Sequence, residues 1–231
     1  MKIPVLDHGY VRLLDCMGSD DDIAENARVS TDYATPKRKN ERLIHYLMKN
    51  RHTSPFELAV LKFEIKLPVF VERQMVRHRT ASMNEQSARM SELEPEFYIP
   101  PFDAVGVSDP KNKQGRTLSH QLSAKDREAY RESLRRTYER AYHEYQNMLQ
   151  VGVPRELARL TLPVSIYTKK VWQMDLHNLL HFLSLRLAPD AQWEIRQYAQ
   201  AIEQIVAELF PVTHGAWQEM RGGKGQGESS K

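Results

Sequence analysis

Cysteine is almost absent: Cys16 is the only one in 231 residues. A single thiol excludes a disulfide framework and a cysteine-built zinc site, and it fits a reducing compartment. Long apolar runs are also missing. Nothing approaches the roughly 18 consecutive apolar residues of a membrane helix. The opening MKIPVLDHGYVRLLD is broken by Asp7, His8, Arg12 and Asp15, so it lacks the apolar stretch of a signal peptide. A cytoplasmic protein with no membrane partner is expected. Neither sign of charge dominates: 33 basic against 30 acidic residues leave a net +3, too little for a protein that coats nucleic acid.

What is present reads as an ordinary globular chain. Hydrophobic residues are 41% and charged residues 27%, and the length bounds one large domain or two small ones. Aromatics spread along the chain exclude wholesale disorder. No internal repeat appears, and no composition shift demands a boundary, so residues 1–220 are expected to form a single domain. The Gly- and Ser-rich tail 221–231 is expected to be disordered.

Residues 10–17 alternate loosely as a first strand, and Ser19 with Asp20–Asp22 offers caps for a helix after it. Leu43, Ile44, Leu47 and Met48 predict a helix over 37–50. Residues 59–67 set Leu61, Phe63, Ile65 and Leu67 against Lys62, Glu64 and Lys66, the clearest strand pattern in the chain. Pro68 opens a predicted helix to about Arg79, and 80–90 read as a structured loop. Residues 103–123 read as a mobile surface insertion. A long amphipathic helix spans 124–150, stopped by Gly152, and a short one begins at Pro154. Two more helices, 171–187 and 191–209, flank Pro189. Two strands beside five or more helices predict an α+β fold.

The densest chemistry lies in residues 73–91, RQMVRHRTASMNEQSARMS. Arg73 and Arg77, four apart, share one face of the predicted helix, where like charges repel unless an anion compensates. Guanidinium groups grip phosphate oxygens in pairs. Asn84, Glu85, Gln86 and Ser87 follow, with hydrogen-bonding groups for a heterocycle or ribose. On composition alone, the same run is equally a solvated basic helix end and a polar loop. His177 and His181, also four apart, face one side of a predicted helix. That spacing permits a metal pair, but there is no glutamate between them as in HExxH and no third ligand, so no metal is expected. Cys16, on the first strand, reads as a small core residue.

The order of these residues adds more. Arg77-His78-Arg79 and, after seven residues, Ser87 resemble the signature of flavin-dependent thymidylate synthases. The resemblance extends to Ala27-Arg28-Val29-Ser30, to His52-Thr53-Ser54-Pro55-Phe56-Glu57 and to Phe97-Tyr98-Ile99-Pro100. It continues through Gly152–Arg159 with Leu162-Pro163, and through Asp175–Arg186 followed by Ala191-Gln192-Trp193-Glu194-Ile195. It covers roughly residues 1–217.

That resemblance implies a twisted, mainly antiparallel sheet flanked by long helices, assembled as a homotetramer with sites at subunit junctions. It implies methylation of dUMP to dTMP, with 5,10-methylenetetrahydrofolate as carbon donor and FAD, reduced by NADPH, as hydride source. By resemblance, the dUMP-binding residues are Gln74, Met75, Val76, Arg77, Glu85, Gln86, Ser87, Ala88, Arg89, Arg159 and Arg186. Arg186 is the catalytic one, activating the pyrimidine, and Arg159 reaches in from another subunit. The FAD-binding set is Ser54, Arg77, His78, Arg79, Glu85, Asp175, Leu176, His177 and His181. Ser87 is a binding hydroxyl, since no activating triad accompanies it. Met90 departs from the family's usual tyrosine, replacing its volume but not its hydroxyl. Three other readings compete. A regulator that has lost catalysis would show a broken flavin or uracil-activating group, yet Arg186, His78 and Glu85 are present. An RNA-binding module would need an aromatic platform beside the arginines, and residues 73–91 have none. A helical scaffold leaves the ordered blocks unexplained.

Overall fold

The computed structural model describes residues 1–30, 39–110, 112, 115–117 and 122–224. The chain opens with a hairpin of β1 (Lys2–Val5) and β2 (Gly9–Met17). Gly9 closes it where a Cβ would meet the Val5 carbonyl at 2.6 Å and the Lys66 carbonyl at 2.7 Å, so no larger residue fits. Ser19 then caps α1 (Asp20–Arg28), its Oγ accepting from the Asp22 N–H at 3.2 Å, with three aspartates at the positive end of the helix. Helices α2 (Asn40–Lys49) and α3 (Ser54–Glu57) lead into β3 (Val60–Pro68). The inward residues Leu61, Phe63, Ile65 and Leu67 of β3 are all fully buried, as the alternation predicts.

After β3 the structure departs from the sequence reading. The helix α4 (Val69–Met75) stops well short of Arg79. Arg77 therefore lies outside it and does not share a helical face with Arg73. The chain must turn there because residues 81–85, predicted as loop, form β4 (Ala81–Glu85), an exposed edge strand. The insertion carries a short hairpin of β5 (Val107–Ser108) and β6 (Arg116–Thr117). Residues 111, 113–114 and 118–121 of it lie outside the described residues.

The long helix α5 (Ala124–Gln150) has the predicted bounds, capped by Ser123. Helix α6 (Arg155–Ala158) begins just after Pro154. The predicted helix over 171–187 is instead a strand and a shorter helix, β7 (Tyr167–Asp175) and α7 (Leu176–Arg186). Lys170 conceals the strand, because a charged residue stands on its inward face. α8 (Trp193–Leu209) matches its prediction, and α9 (Pro211–Lys224) runs past the expected start of the tail at 221. Residues 225–231 lie outside the described residues, as do residues 37 and 38 of the predicted second helix.

The main sheet has the order β1-β2-β3-β7-β4, every neighbouring pair antiparallel. Its inward face packs on α1–α3 and α7–α9 around Phe63, Trp172, Phe182, Tyr198 and Trp217. A smaller cluster of Leu93, Phe97 and Ile166 packs against Tyr138 and Tyr142 of α5. Phe97 stacks on Tyr138 at 5.1 Å. Cys16 is half-buried at the margin of the main core. The chain is thus a mixed fold with a mainly antiparallel sheet and helices packed on it. Among the described residues no helix is long and apolar enough to cross a membrane.

Candidate active site

Arg186 is the last residue of α7, a helix whose start is fixed by Asp175, which accepts from the Asn178 N–H at 2.9 Å. Its guanidinium is held at two points. Nε–H donates to His78 Nε2 at 3.0 Å, and Nη2 donates to the Gln74 carbonyl at 3.3 Å. An arginine donates to that nitrogen only when the ring is neutral, so the contact assigns the imidazole proton to Nδ1. Burial first, then the Arg186 charge, with His181 and Lys170 adding to it, pull His78 down from 6.5 to about 4. The ring stands edge-on to Phe182, one turn back on α7, at 4.8 Å. Burial also lowers the pKa of Arg186, and Arg186 takes part in none of the ion pairs among the described residues. A half-buried, rigidly held cation without a counter-ion is built to meet negative charge.

The Gln74 side-chain amide donates to Gln192 Oε1. Met75 and Leu176 are fully buried in the core, so only their backbone groups are available to a ligand. The Leu176 N–H is already engaged by the Ala59 carbonyl at 2.8 Å. Val76 is half-buried at the end of α4.

The edge strand β4 lies along β7 in a register that sets Glu85 opposite Lys170. Thr168 Oγ1 donates to Glu85 Oε1 at 2.9 Å, and the Gln86 N–H to the Lys169 carbonyl at 2.8 Å. The chain then turns on Ser87, whose carbonyl accepts from Met90 and Ser91 and whose Oγ accepts from the Arg89 N–H at 3.3 Å. Beneath this segment lies a buried ion pair, Lys170 Nζ to Glu72 Oε2 at 2.5 Å. Burial pushes the lysine down and the glutamate up, and Glu72 Oε1 has no hydrogen-bond partner.

Arg77, Arg79, Glu85, Gln86 and Arg89 are exposed, while Ser87 and Ala88 are half-buried. Among the described residues, no carboxylate pairs with Arg73, Arg77, Arg79 or Arg89, whereas Arg127, Arg131 and Arg135 of α5 each pair with at least one. Four unpaired cations within 17 residues fit the phosphates of a nucleotide or of a flavin dinucleotide. His177, half-buried, and His181, exposed, share a face of α7, with Ser54 exposed at the start of α3 packed near that helix. No group of three His, Cys, Asp or Glu side chains is placed to hold a metal among the described residues.

The structure therefore brings Gln74, His78 and Arg186 together, and Glu85 with Thr168. It does not bring Arg159 to them. That side chain is exposed after α6 and donates Nε to its own Glu156 carbonyl at 3.3 Å. A cavity of about 340 Å³ lies elsewhere, between the His8 turn and Tyr138 and Tyr142 of α5, and none of the predicted site residues lines it. Thr168, Lys170, Glu72 and Gln192 were not among the predicted site residues. Gln192 lies inside the Ala191–Ile195 segment that carries the family resemblance, but Lys170 and Glu72 leave no local signal.

The pattern of sequence and fold is shared with known proteins. The family described as thymidylate synthase complementing protein matches residues 12–212. The flavin-dependent thymidylate synthase of Thermus thermophilus is 50% identical over 220 residues, covering 95% of this chain and 79% of the relative. That of Ehrlichia ruminantium is 47% identical, covering 93% and 72%. Among solved structures, the UMP/dUMP methylase PolB from Streptomyces cacaoi bound with 5-Br UMP superposes with a TM-score of 0.85. It is 38% identical, covering 94% of this chain and 97% of PolB. The chain belongs to the family of flavin-dependent thymidylate synthases.

Proposed function

We propose that this chain methylates dUMP to dTMP: dUMP, 5,10-methylenetetrahydrofolate, NADPH and a proton give dTMP, tetrahydrofolate and NADP⁺. Bound FAD, reduced by NADPH, supplies the hydride. The observation that carries the reading is Arg186, a half-buried guanidinium fixed by neutral His78 and the Gln74 carbonyl. Set at the uracil ring, it stabilises the negative charge that develops on the pyrimidine as C5 becomes nucleophilic. Gln74, Arg77 and the turn from Glu85 to Arg89 bind the nucleotide, with Arg89 on the phosphate. The Ser87 hydroxyl fixes the turn by accepting from the Arg89 backbone N–H, and among the described residues no carboxylate pairs with the Arg89 guanidinium, which is exposed. Ser54, Arg77, His78, Arg79 and Glu85 hold FAD from one chain, and Asp175, Leu176, His177 and His181 from another.

The active form is a homotetramer. The Arg159 side chain bonds only the nearby Glu156 carbonyl among the described residues, and around it Leu157, Leu160 and Val164 are more than half exposed, an apolar surface that a second copy would bury. The test is dTMP formation from dUMP with methylenetetrahydrofolate and NADPH, with FAD stripped and restored. Product that depends on FAD is expected. Absence of product from FAD-loaded protein overturns the reading.

A further inference from the structure

Gln192 and Glu194 open α8, the first as its N-cap and the second in its first turn. Glu194 is 1% exposed and fully satisfied. Its Oε1 accepts from the Tyr98 hydroxyl at 2.9 Å and from Arg116 Nη1 at 2.8 Å, and its Oε2 from Gln192 Nε2 at 2.9 Å. A buried carboxylate with a cation, two neutral donors and a helix N-terminus is a rigid anchor. Gln192 hangs from it and turns its other end to Gln74, and the Gln74 carbonyl receives Arg186. Gln192 is exposed, so burial does not dictate its bridge; the anchored Glu194 does. Arg116 belongs to β6, in the 103–123 insertion, and lies 5.5 Å from the Trp193 ring.

We infer that Gln192 and Glu194 are positioning residues that hold the Gln74 side chain ready for the nucleotide, and that Arg116 makes the inserted β5–β6 hairpin part of that hold. The inference rests on the dUMP reading above. A free glutamine side chain samples several rotamers, and holding one in advance is worth about two- to tenfold in ligand binding.

Kinetics of the FAD-loaded protein test this. Gln192→Met keeps the length of the side chain and removes both hydrogen bonds. It is expected to raise KM for dUMP about two- to tenfold, with kcat per folded active site little changed; the melting temperature falls as well, because the buried Glu194 Oε2 loses its donor, so the rise in KM is the deciding readout. Gln192→Glu keeps an acceptor for Gln74 but sets a carboxylate against Glu194, and Arg116→Met touches neither glutamine. Both are expected to raise KM as well. A merely structural role would lower the melting temperature and the active fraction, hence kcat, and leave KM alone. Unchanged KM in Gln192→Met overturns the inference; a rise there without one in Arg116→Met overturns the part given to the hairpin. Should the wild type form no dTMP, the dUMP reading fails by itself, and crystal structures of wild type and Gln192→Met still decide: a displaced Gln74 side chain supports the hold, an unmoved one overturns it.

Discussion

His78 and Arg186, 108 residues apart, meet at 3.0 Å as acceptor and donor, so the Arg77-His78-Arg79 segment fixes the cation at the end of α7. A charge held in this way is effective only against charge that develops in its direction. Arg186→Ala is expected to keep the fold and bound FAD while lowering kcat for dTMP formation by about 10²–10³, the usual loss for a preorganised oxyanion-type donor. Flavin absorbance of the purified variant and its rate of product formation check this together. Loss of FAD with a normal rate on reconstitution would contradict the assigned role.

Neutral His78 makes the enzyme acid-sensitive. Folding lowers its pKa from 6.5 to about 4, so between those values the unfolded chain binds a proton that the folded chain refuses. The contribution of the neutral ring is complete above 6.5, drains away as pH falls toward 4, and is level below that. Urea unfolding at several pH values across this window should show a steeper loss for wild type than for His78→Asn, which has nothing to titrate. Parallel losses would show that the ring takes up its proton without disturbing the fold.

The elements legible in the sequence were those with a strong local pattern. Ser123 and Gly152 bracket α5, and alternation marks β3. The misread elements are those that tertiary contacts decide. β7 carries Lys170 on its inward face, which inverts the binary pattern, and its register with β3 and β4 is set by partners far away in the chain. β4 has no buried face and owes its conformation to backbone pairing with β7. α4 ends without a glycine or proline because β4 must return to the sheet. At the site, the arginines and His78 stood out in sequence order. Gln192 did not, since its meeting with Gln74 spans 118 residues.

Glu72 and Lys170 are mutually dependent. Removing the carboxylate alone, as in Glu72→Gln, leaves an ammonium that is 0% exposed without its counter-ion. A cost of about 3–5 kcal/mol is expected from such a break. Replacing both by methionine removes both desolvation penalties and should recover most of that loss, because apolar packing often equals a buried ion pair. Urea midpoints of the two variants separate these cases. A single variant as stable as wild type would mean that the pair does not hold α4 against β7.

Arg159 and Arg186 give the sharpest test of assembly. If each site takes Arg186 from one chain and Arg159 from another, Arg159→Ala and Arg186→Ala are each inactive but complementary. In tetramers mixed at random by co-expression, a site is intact when one contributor carries only the Arg186 lesion and the other only the Arg159 lesion. Two independent choices of one in two give about a quarter of wild-type activity. If both arginines served a site within a single chain, every chain in the mixture would carry one lesion and no activity would return. Partial recovery on co-expression, with none on mixing the separately purified and stably assembled variants, is the expected result.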